Sequence, residues 1–287
     1  MTVPEKSNRY QHAFAVAKEA GETLFMPYMM AGYPSRAESA DMIRALVDGG
    51  AGAIELGVPF SDPLADGPTI QRANTQALSD GANMAFVLDL IRGLRAEGIT
   101  IPITMMGYLN PLLAYGRAHG ASSAPGVHSL SEAGGLEPIA RDAAAAGADG
   151  MIIVDLPPEE SDDALAALRA EGLSLVYLIA PTSPPERIQA VADRASGFVY
   201  LVSVTGVTGA RDELPSDLVD FVRRVQAMIP LPLAVGFGIS NRAQVETVGA
   251  LCEAAVIGSA VITTVEEAPA GERASRLRAF ATSITAK

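Results

Sequence analysis

The chain has 287 residues, 49% of them apolar, and a formal charge of −12 at neutral pH. That is enough apolar material for a sizeable core, while the acidic balance argues against nucleic acid and anionic membranes as partners. No apolar run is long enough to span a membrane, Glu5, Lys6 and Arg9 interrupt any N-terminal signal segment, and the single Cys252 supports neither a disulfide nor a cysteine-ligated zinc site, so a cytoplasmic protein without a metal is expected.

In chain order, residues 5–21 read as an amphipathic helix closed by Gly21. Residues 24–31 read as a strand despite Pro27, and Gly32-Tyr33-Pro34-Ser35 turns into a helix over about 36–48. Further apolar strands fall near 52–57, 101–107, 149–154, 173–179, 197–203, 232–236 and 254–258. Helical patterns follow most of them, near 84–97, 136–146, 158–170, 185–194, 215–228, 241–249 and 271–284. Alternating units with continuously apolar strands indicate a parallel sheet. Eight of them fit a (β/α)8 TIM barrel with an extra N-terminal helix better than an open doubly wound sheet, whose Gly-rich turn after the first strand is missing. No low-complexity linker divides the chain, so residues 1–287 are expected to be one domain; the stretch 116–135 reads as a mobile excursion after the third strand.

The chemistry is concentrated in Ile54–Gly67. Alternation puts Ile54 and Leu56 on one face and Glu55 on the other, so in a closed barrel the two apolar residues pack under helices and Glu55 points inward near the end of its strand, where such barrels do chemistry. Pro59 and Pro63 then end the strand, and the loop returns a second carboxylate, Asp66, toward the first. Acidic residues in turns commonly cap helices or sit in water; a glutamate flanked by apolar strand residues fits that account poorly, because burying an unpaired carboxylate is costly.

Three glycine-bearing segments stand at the ends of the last strands: Ser203–Gly209, Gly236–Ser240 and Gly258-Ser259. Glycine lets backbone N–H groups approach an anion closely, and a helix starting at Ser259 would add its positive end. A phosphate site built from Gly209, Gly238, Gly258 and Ser259 is therefore expected, in the position where these barrels recurrently bind phosphate.

Ile54–Gly67, Phe25-Met26-Pro27-Tyr28 with Gly32, Gly107–Pro111, Val154–Pro157, Gly206–Gly209, Gly236–Ser240 and Ile257–Ser259 together resemble, in order and through essentially the whole chain, the tryptophan synthase alpha subunit family. The resemblance implies cleavage of indole-3-glycerol phosphate to indole and glyceraldehyde 3-phosphate, with no cofactor in this chain. It also implies a beta-subunit partner that carries pyridoxal phosphate, in an alpha2-beta2 tetramer. It casts Glu55 as general acid/base and Asp66 as the ionised acceptor of the indole N–H. It places Tyr28, Tyr108, Tyr200 and Thr208 around the substrate, and Asp62 and Asn110 toward the partner. Two positions depart from the family: Val204 stands where some members have arginine, and 116–135 is longer than in many bacterial relatives.

Three other functions compete. A phosphorylated-sugar isomerase would share the glycine loops but not Ile54–Gly67, and an idle docking subunit would be expected to have lost Glu55 or Asp66. A stand-alone lyase releasing free indole is separated from a synthase subunit only by its partner.

Overall fold

The computed structural model describes residues 8–120, 135–202, 217–236 and 238–285. Its strands are β1 (Leu24–Met30), β2 (Ile54–Gly57), β3 (Ile103–Gly107), β4 (Gly150–Ile153), β5 (Ser174–Val176), β6 (Leu178–Ile179), β7 (Val199–Val202), β8 (Leu233–Gly236) and β9 (Ala254–Ile257). All pair in parallel, in the order β5-β4-β3-β2-β1-β9-β8-β7-β6. The two ends of that order are neighbours in sequence. β5 and β6 flank Tyr177 as halves of one stave, and the Tyr177 carbonyl accepts the Tyr200 amide at 3.0 Å. Counting β5 and β6 together, the nine segments make the expected eight-stave TIM barrel.

The period-2 alternation sorts side chains as the sequence predicts. Phe25, Met29, Ile54, Leu56, Ile103, Met105, Val199, Leu201, Val235 and Ile257 belong to the core between barrel and helices. Met26, Ile152, Val176, Tyr200, Ala234 and Val256 belong to the barrel interior. The N-terminal helix Asn8–Ala20 joins that interior through Tyr10, Phe14 and Ala17, spaced on one helical face. Its rings meet Phe198 at centroid distances of 5.5 and 6.2 Å, and the Tyr10 hydroxyl shares a 2.6 Å hydrogen bond with Thr104. Beside this plug, the buried Asp149 at the entry to β4 binds Arg9 at 2.8 Å, Arg95 at 2.7 Å and the Ile103 amide at 2.8 Å. The N-terminal end of the barrel is thus packed and cross-linked, and the C-terminal end is left for chemistry.

Two helices correct the sequence reading. Asp66-Gly67-Pro68 reads as a turn, yet it opens the helix Pro68–Ser79: Gly67 is the extended N-cap, and Pro68 stands at the first helical position, where its missing N–H leaves nothing unsatisfied. The helix Leu109–Ala118 occupies the start of the supposed excursion, and the Leu109 amide is capped at 2.7 Å by Asp155 from the loop after β4. Residues 121–134 of that stretch lie outside the described residues. Among the described residues no helix is long and apolar enough to cross a membrane.

Candidate active site

Glu55 stands in register between Tyr28 on β1 and Thr104 on β3. It is 1% exposed, and its Oε2 meets no hydrogen-bond partner among the described residues. Burial, reinforced by the charge of Asp66, raises its carboxyl to about 8, so it holds a proton at neutral pH.

After Gly57 the chain makes one more ladder contact, from the Val58 amide to the Met106 carbonyl at 2.7 Å, before the prolines turn it away. The loop closes on itself through the Asp66 amide and the Pro63 carbonyl at 3.0 Å. Tyr108, at the N-cap of the helix Leu109–Ala118, then takes hold of it. Its hydroxyl accepts the Ala65 amide at 3.0 Å and donates to Asp66 Oδ2 at 3.3 Å. Burial lifts the Asp66 carboxyl to about 6, and the Tyr108 hydrogen bond restrains the rise, so Asp66 is mostly ionised where Glu55 is not.

Two buried tyrosines flank these groups, and each has a glycine as its seat. A β-carbon at Gly57 would collide with the Tyr28 ring, and one at Gly236 with the Tyr200 ring. Both phenols are pushed well upward by burial and by the two carboxyl groups, and stay neutral.

After β8, Gly238 adopts φ +74°, a left-handed conformation that favours glycine. The loop beyond it is preformed: Asn241 Oδ1 caps the helix Arg242–Gly249 by accepting the Gln244 amide at 3.0 Å, while Gln244 Oε1 accepts the Ser240 amide at 2.8 Å. The helix Ser259–Glu267 starts directly at the end of β9, with first-turn N–H groups that have no partner within the helix. A β-carbon added at Gly258 would find nothing nearer than the Tyr28 Cβ at 3.6 Å. Packing in the free chain therefore does not require glycine at 258, where an added methyl would make ordinary contact with Tyr28 and Ile70; the position stands at a helix N-terminus, which favours an anion.

A family model described as Tryptophan synthase alpha chain matches residues 14–286. The chain belongs to the tryptophan synthase alpha chain family. The tryptophan synthase alpha chain of Roseiflexus sp. (strain RS-1) is 47% identical over 277 residues, covering 96% of this chain and 99% of that one. Among solved structures, the tryptophan synthase subunit alpha from Legionella pneumophila str. Paris superposes with a TM-score of 0.83 at 32% identity, covering 96% of each chain. A Mycobacterium tuberculosis tryptophan synthase structure gives 0.82 at 34% identity, again over 96% of each.

Within this tryptophan synthase alpha fold, Glu55, Asp66, Tyr28, Tyr108 and Tyr200 gather at the C-terminal end of the barrel, and Gly238, Gly258 and Ser259 end or follow its last strands. Thr208, Gly209, Val204 and the surrounding segment 203–215 lie outside the described residues. Asp62 is exposed on the loop, with Leu64 beside it 90% exposed, and Asn110 is exposed in the first turn of its helix. Sequence reasoning missed Gly57 and Gly236 as seats for rings, Asp155 as a helix cap, and Gln71 and Asn74, whose side chains reach back to the Asp66 loop. The strand-end glycines were visible as a pattern; the other three depend on contacts between segments.

Proposed function

We propose that Glu55 and Asp66 divide the work of the reaction that family membership assigns to this chain, the retro-aldol cleavage of indole-3-glycerol phosphate to indole and glyceraldehyde 3-phosphate. The observation that carries the reading is the pair itself: a fully buried carboxyl held protonated near neutrality, next to one that stays ionised.

The protonated Glu55 donates to C3 of the indole ring. Positive charge develops on the ring nitrogen, whose N–H is accepted by the Asp66 carboxylate, a fixed counter-charge in a site sheltered from water. The Glu55 carboxylate then takes the proton of the adjacent glycerol hydroxyl. The C–C bond breaks, its electron pair returns to the ring, the hydroxyl carbon becomes the aldehyde, and Glu55 ends protonated as it began. The raised carboxyl of Glu55 suits this cycle, since general acid/base catalysis is most effective when the group titrates near the working pH.

Tyr28, Tyr108 and Tyr200 line the indole, with Thr208 completing the pocket. The phosphate is held by backbone N–H groups at Gly209, Gly238, Gly258 and Ser259, assisted by the Ser259 hydroxyl and the helix that starts there. The reaction asks for no cofactor in this chain, which acts as one barrel domain, 1–287, in the cytoplasm. Pyridoxal phosphate belongs to the beta subunit, which converts the released indole. That subunit docks around Asp62 and Asn110 in an alpha2-beta2 assembly, and its effect is to favour the closed state of the loop that carries Asp62 and Asp66.

Indole release from indole-3-glycerol phosphate, measured at saturating substrate with and without a cognate beta subunit, tests the reading. Release that the partner accelerates is expected. Equal rates with no complex on sedimentation would make the chain a stand-alone lyase, and no release at all would remove the function.

A further inference from the structure

The Asp66 loop is held by the helix that follows it. Gln71 and Asn74, three residues apart on the helix Pro68–Ser79 and so on neighbouring positions of its surface, both turn back onto the loop. Gln71 Nε2 donates to the Asp66 carbonyl at 2.9 Å. Asn74 grips Phe60 from both sides: its Oδ1 accepts the Phe60 amide at 3.0 Å, and its Nδ2 donates to the Phe60 carbonyl. An amide N–H only donates and a carbonyl only accepts, so this pairing fixes the orientation of the side chain.

Asn74 is 2% exposed and shares its helix face with Ile70, Ala73 and Ala77. A polar residue buried on an apolar face costs free energy unless its polar atoms are paired, and a purely apolar residue would bury that face at no such cost. What an apolar residue would not do is hold Phe60. From Phe60 the contact continues: its ring lies 5.3 Å from that of Tyr108, and Tyr108 holds the Ala65 amide and the Asp66 carboxylate.

We propose that Asn74 is a positioning residue for Asp66: by clamping Phe60 it seats the ring of Tyr108, and Tyr108 in turn sets the carboxylate. The proposal rests on the reading of Asp66 given above. The titratable groups facing Asp66 from surrounding elements are Glu55 on β2, Tyr28 on β1, Tyr108 beyond β3 and Tyr200 on β7. Asn74 and Phe60 carry no charge, so a change that they impose on Asp66 acts through its position and its hydrogen bond.

The test is the pH dependence of kcat/KM for indole release, in the presence of the beta subunit, for wild type, Asn74→Ala, Phe60→Ala, Tyr108→Phe and the double variant Asn74→Ala/Tyr108→Phe. The Tyr108 hydrogen bond favours ionised Asp66, so loosening it moves the acid limb upward. Each single variant is expected to raise that limb by about half a pH unit or more and to lower kcat roughly tenfold with KM little changed, because the groups misplaced act in the transition state. The double variant is expected to shift no further than Tyr108→Phe alone, since both changes cut one chain of contacts. A purely structural Asn74 would lower Tm or yield and leave the acid limb in place. Phe60→Ala removes the middle of the chain from a half-buried loop position, so it decides the matter even where Asn74→Ala does not fold. An unmoved acid limb in folded Phe60→Ala or Asn74→Ala, or additive shifts in the double variant, overturns the proposal. A wild-type profile for Asp66→Asn would instead overturn the reading of the site, and the proposal with it.

Discussion

The ring of Tyr28 occupies the space that a β-carbon on Gly57 would need, so the residue that ends β2 is fixed by an aromatic on the neighbouring strand. Gly57→Ala is expected to destabilise the fold by about 1–3 kcal/mol, the usual cost of overpacking, and to lower kcat/KM by displacing Tyr28. Gly236→Ala should do the same through Tyr200. Denaturant midpoints and steady-state kinetics of the two variants check this; unchanged midpoints would show that the rings move aside freely.

The two carboxyl groups predict a bell-shaped profile of kcat/KM against pH. Activity needs Asp66 ionised, which gives an acid limb near about 6, and Glu55 protonated, which gives a basic limb near about 8. In Asp66→Asn the acid limb should vanish along with most of the activity, since a neutral amide cannot balance the charge on the indole nitrogen. A flat profile in the wild type would remove the assignment of both groups.

Glu55→Gln should lose about 10²–10⁴ in rate, because the amide is nearly isosteric but cannot shuttle protons. Its stability should move the other way. Between the ordinary value of 4.5 and about 8, the folded chain keeps a proton on Glu55 that the unfolded chain releases, so stability falls as pH rises through that window. The full penalty above it is about 5 kcal/mol on the linkage arithmetic. Thermal melts at pH 5 and pH 8 should therefore show a smaller pH-dependent loss for Glu55→Gln than for wild type.

Gly258→Ala separates binding from folding. The added methyl meets ordinary contact distances, and the backbone there, at φ −106°, suits any residue. Tm should stay close to wild type while KM for the phosphorylated substrate rises by about tenfold or more, as the methyl enters the space assigned to the anion. An unchanged KM would place the phosphate elsewhere.

The barrel was legible because each stave is a short apolar run that buries both faces, a pattern that depends little on distant partners. Glu55 was legible for the complementary reason, as a charge where that pattern forbids one. The helix Pro68–Ser79 was not, because Gly67-Pro68 serves equally as a turn and as a helix start, and the helix that follows is largely polar. Asn74 was hidden more deeply. In sequence it is one amide in a polar run, and only the fold brings the Phe60 backbone, fourteen residues earlier, against it.

Tyr10, Phe14 and Phe198 fill one end of the barrel, so the well above Glu55 has a floor and its doorway lies at the other end. Traffic follows from that shape. On the proposed assignment of Ser259 to the phosphate, the indole lies deeper than its phosphate tail, and both products leave by the same threshold. Whatever sits on that threshold decides when the well is emptied and into what. A subunit docked against the sealed floor would have no access to that passage; one docked at the rim, over the exposed loop that carries Asp62 and Leu64, would hold the door.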